Sequence, residues 1–66
     1  MADTLSDLES DWLTLRDMYA ASPQLGNLRQ AVEAGQAFVV ALHREGQAVP
    51  GKVADDLKLL EHLAHY

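Results

Sequence analysis

Cysteine is absent from all 66 residues. Disulfides and thiolate metal sites are therefore excluded, and the chain is compatible with any redox compartment. No apolar run approaches the roughly 20 residues that a membrane-crossing helix needs. Nothing resembles a signal peptide: the first residues carry Asp3, Asp7 and Glu9 and no apolar core segment. A cytoplasmic location is the resulting expectation. Positive charge is scarce. Five cations, Arg16, Arg29, Arg44, Lys52 and Lys58, are scattered among ten acids, for a net charge of −5. Nucleic-acid binding scales with the number of phosphates that clustered cations neutralise, so direct nucleic-acid binding is disfavoured. Isoleucine is missing, and with two threonines and five valines the β-branched residues are few. The four glycines and two prolines fall mostly at seams between longer stretches.

What remains is rich in alanine, leucine, glutamate and glutamine, all good helix formers. The length allows one domain, residues 1–66. A chain this short buries only about 60% of the surface its unfolded form exposes. Scaffolds of this size usually carry a disulfide, a metal or a partner as a staple. Without cysteine, close helix packing or self-association is left.

Three helices are expected, over about 4–21, 23–45 and 50–65. Ser6 and Glu9 fit a capping box at the start of the first, with Thr4 and Asp7 a weaker version one turn earlier. Ser22-Pro23 closes it, since the residue before proline is pushed out of the α region. The same pair can open helix 2, with Ser22 as N-cap and Pro23 at the first helical position; Asn27 is a later alternative start. Gly46 suits the residue just past the end of helix 2. Asp55 and Asp56 fall in the early turns of helix 3, with Asp56 inside its apolar arc and expected at the rim.

In helix 1, Leu5, Leu8, Trp12, Leu15 and Tyr19 recur at spacings of three and four. Leu25, Leu28, Val32, Gly35, Val39 and Leu42 do the same in helix 2. Both read as seams of an antiparallel hairpin. Folding about Ser22-Pro23 sets Leu8 against Val39, Leu15 against Val32, and Trp12 against Gly35. Glycine inside a helix costs roughly 0.5–1 kcal/mol relative to alanine. Gly35 is read as a packing device that makes room for the indole of Trp12, large against small. A second flank of helix 2, Ala31, Ala34, Phe38 and Ala41, is offered to helix 3, which presents Val49, Val53, Leu57, Leu60 and Ala64.

The fold class expected is all-α: a small three-helix bundle built on a long antiparallel helical hairpin and expected to self-associate. Apolar residues exceed what such a bundle hides, and a surplus apolar patch marks an interface. Leu59, Leu63 and Tyr66 lead as partner-facing residues, with Leu13, Met18, Phe38 and Val40 behind them. Trp12 and Gly35 are assigned to core packing.

Catalysis finds little support, because no nucleophile, base and orienter share a recognisable motif. No cofactor and no small-molecule substrate is indicated. His62 and His65 stand at i, i+3, but stable zinc sites need three or four ligands. They are read as a solvated turn that suits the helix dipole. Neither helix 2 nor helix 3 is basic enough for a DNA-recognition helix. The function expected is a non-enzymatic protein–protein interaction module, an adaptor or small helical chaperone. It would act as a homo-oligomer or in a hetero-complex. The alternative is a small regulator, transcriptional or inhibitory, that binds a protein partner such as a polymerase or regulator subunit. Size, acidity and hairpin character are shared with many small bacterial and phage proteins, an analogy of fold class without residue-level content.

Overall fold

The computed structural model describes residues 4–65. Three helices follow one another: α1 (Thr4–Ala21), α2 (Leu25–Arg44) and α3 (Gly51–Ala64). Together they form a small all-α three-helix bundle. Thr4 is already helical, so Ser6 lies inside α1 and is not its N-cap.

The first turn departs from expectation. Ser22 does not cap α2. Its N–H donates to the Met18 carbonyl at 2.9 Å, and so closes α1. Gln24 takes the N-cap position in extended conformation (φ −101°, ψ 153°), without a side-chain cap bond. From inside the helix, the Asn27 side-chain amide donates to the Ser22 carbonyl at 2.9 Å and ties the first turn of α2 to the connector. Ser22 and Pro23 thus form the connector.

The second turn is a Schellman motif. The Gln47 N–H donates to the Leu42 carbonyl at 2.9 Å, and the Gly46 N–H to the His43 carbonyl at 3.1 Å. Gly46 has φ 69°, the left-handed region that only glycine enters without strain. Pro50 is the N-cap of α3. Val49, in the connector, packs on the core.

The core is assembled around one residue of α2. Trp12 from α1 is fully buried, and Ala31, Phe38, Leu57 and Leu60 are buried beside it. A Cβ placed on Gly35 would stand 2.9 Å from two carbons of the Trp12 ring and 2.7 Å from Leu57 Cδ1. Gly35 is therefore where all three helices meet. Any side chain there would occupy space already taken by α1 and α3.

The two flanks of α2 are exchanged relative to the sequence expectation. Leu8 and Leu15 of α1 share a groove with Ala34 and Ala37. Leu5 shares another with Phe38 and Leu42. The alanine side thus receives α1. On the opposite side the Gln36 amide donates to the Glu61 carboxylate of α3 at 3.3 Å. Val32 and Val39 lie at i−4 and i+3 from Gln36, on that same face. The valine stripe assigned to α1 belongs on the α3 side. Leu25, placed on the α1 seam, is 60% exposed. It would stand opposite Ser22, where α1 has already ended.

Candidate functional site

α1 packs on α2, and α2 packs on α3. Among the described residues, α1 and α3 have no Cα atoms within 8 Å of each other. Both lean on the central helix with their backbones apart, and a valley runs between them. Its volume is about 360 Å³, and its walls come from α1 and α3 alone.

The α1 wall is Arg16, Tyr19 and Ala20; the α3 wall is Lys52, Asp56, Leu59, Leu60 and Leu63. Sequence spacing explains both. Arg16 and Tyr19 follow Trp12 at i+4 and i+7, so they leave the core on its α3 side. Lys52, Asp56, Leu59 and Leu63 are spaced four, three and four residues apart, a heptad-like stripe on one face. That stripe borders Val53, Leu57 and Leu60, the buried face of α3.

Leu60 lies at the floor and is buried, whereas Leu59 and Leu63 on the lip are 59% and 39% exposed. One ion pair crosses the valley: Arg16 Nη1 stands 3.1 Å from Asp56 Oδ2. Arg16 also reaches Asp17 at 3.3 Å. Lys52 has no ion-pair partner among the described residues. The valley is thus an apolar trough with a bridged ion pair on its flank and an unpaired cation near the start of α3.

Of the residues expected to face a partner, the valley brings together Leu59 and Leu63. Leu13 lies one turn before Arg16 on the same face of α1 and is 37% exposed. Met18 and Val40 are exposed but do not line the valley. Phe38 is not an interface residue. It is 2% exposed, because α1 covers the alanine flank on which it stands. Tyr66 lies outside the described residues. Sequence reasoning missed Arg16, Tyr19, Ala20 and Lys52. Arg16 carried a signal: it is a charge at the edge of an apolar arc, four residues beyond the tryptophan.

The indole N–H of Trp12 is buried and has no hydrogen-bond partner among the described residues. It is no part of the valley. Among those residues, no three His, Asp or Glu side chains stand close enough to hold a metal ion, His62 and His65 included. Among the described residues, no helix is long and apolar enough to cross a membrane. Comparison with protein-family models, with curated proteins and with solved structures finds no match to this chain.

Proposed function

We propose that the protein is a non-enzymatic interaction module of the adaptor or small-chaperone kind, and that the valley between α1 and α3 is its docking site. One observation carries this reading. The two outer helices keep their backbones apart on a shared central helix and leave a trough of about 360 Å³ lined with exposed leucine. Amphipathic helices dock in apolar grooves by such i, i+3, i+4, i+7 anchoring. The exposed lip leucines are surface that a partner would remove from water, at roughly 25 cal/mol per Å².

Variants on the lip test the reading. Leu59→Asp should keep the far-ultraviolet helical spectrum of the wild type. It should also abolish association, read as self-association by light scattering or as capture of a specific partner from the source cells. Association that Leu59→Asp leaves untouched would place the docking surface elsewhere on the molecule.

A further inference from the structure

We infer that the occupant of the valley is a second copy of this chain, with α3 of each protomer lying antiparallel in the valley of the other about a two-fold axis. The inference rests on the reading of the valley as a helix seat, and it names the partner.

Three observations favour a second copy. First, ridge and trough lie on the same face. Leu59 and Leu63 project from the lip, and the space beside them is bounded by Ala20, Tyr19 and Leu60. An isologous dimer requires one patch to serve as both knob and hole, and this face does. Second, Lys52 stands at the wrong end of its own helix. A cation in a first turn opposes the positive end of the helix dipole. Lys52 also has no ion-pair partner among the described residues. An antiparallel α3 from a second copy would bring its C-terminal turn, the negative end of that helix, beside Lys52. The two-fold axis makes the contact twice. Third, neither usual alternative staple is present: the chain has no cysteine, and the described residues hold no metal-binding cluster. Close helix packing and association are then the routes by which so small a scaffold gains a margin of stability, and the open valley is surface that association can close. A stable dimer removes about 800 Å² from each partner. That is about a sixth of the 4660 Å² exposed here.

Light scattering after size exclusion, over a dilution series of the full chain, tests the inference. The wild type should elute with twice the 7.2 kDa chain mass and dissociate on dilution. Leu59→Arg should be monomeric with unchanged circular dichroism. Lys52→Glu should weaken the dimer by about tenfold, through two reciprocal charge–dipole losses. It should also leave the monomer as heat-stable as wild type or more so, because an acid suits the start of α3. A purely structural role for Lys52 would not produce that opposition of effects. A wild type that is monomeric at every concentration overturns the second copy, as does a dimer that Leu59→Arg leaves intact. The fluorescent probe anilinonaphthalene sulfonate then separates the two readings. A monomer that binds the probe, and loses it on Leu59→Arg, overturns the second copy while keeping the valley as a docking site. A monomer whose probe binding ignores Leu59→Arg overturns both.

Discussion

The space between α1 and α3 is closed at one level and open at the next. At Gly35 the two outer helices send in Trp12 and Leu57, and their side chains meet over a residue with none of its own. Further along, Arg16, Tyr19 and Ala20 face Asp56, Leu59 and Leu63 across a trough. The helices are the same; the residue beneath them and the reach of their side chains differ. Where α2 offers a glycine, large residues converge and seal the bundle. Where α1 offers Ala20, nothing reaches across except one ion pair. The closed level therefore holds the fold, and the open level is free to do something else.

Substitutions should divide along this line. Trp12→Ala should cost most, about 3–5 kcal/mol, which for a domain of this size would leave little folded protein in a thermal melt. Gly35→Ala comes next. Its methyl group would gain helix propensity of about 1 kcal/mol. It would also stand 2.9 Å from a rigid ring, while Leu57 can swing aside. A net loss of about 1–3 kcal/mol in urea unfolding is expected. A Gly35→Ala or Gly35→Leu protein as stable as wild type would mean that the indole is not fixed there.

Trp12→Phe should be far milder than Trp12→Ala. It leaves a gap, but it also removes a buried donor with no acceptor among the described residues, a burden of about 1–3 kcal/mol. The net change should stay within about 1 kcal/mol, and a much larger loss would show that the N–H has a partner. At the open level, a double-mutant cycle on Arg16→Ala and Asp56→Ala should give a coupling below about 1 kcal/mol, shrinking further in salt, as for other partly exposed pairs. Smallest of all, Leu59→Asp should change the unfolding free energy of the isolated chain by no more than about 0.5 kcal/mol. A large loss there would make the lip part of the core and erase the distinction.

Much of the architecture was legible because it is periodic. The apolar spacing of α1 and α2 specifies helices, and a single glycine within a leucine and valine seam draws attention to the largest side chain opposite. The choice between flanks was not legible. The Val32–Val39 stripe and the Ala31–Ala34–Phe38 stripe are about 100° apart on one helix, and either can receive a neighbour. Alanine on one side and a Gln36–Glu61 bond on the other decide the matter, and both depend on residues far apart in the chain. Phe38 was misplaced for that reason. Leu59 and Leu63 were legible as surplus apolar surface, since helix 3 carries more leucine than one face can bury. The opposite wall was not, because the pairing of Arg16 with Asp56 spans 40 positions. Ser22 does not cap α2 because its N–H closes α1 on the Met18 carbonyl and its own carbonyl accepts from Asn27, contacts that Ser-Pro statistics do not contain.

The separation of the α1 and α3 backbones also bears on how fast the molecule forms. Each helix pair that packs is consecutive along the chain, so every interface closes across a single short connector. Chains dominated by such local contacts fold on the microsecond to millisecond scale. Gly46 holds the second connector in its turn, and the entropy of bringing α3 back is that of a loop of a few residues. Where α1 does reach α3, through Trp12 and Leu57 over Gly35 and through Arg16 to Asp56, the backbones stay apart and side chains alone close that last seam.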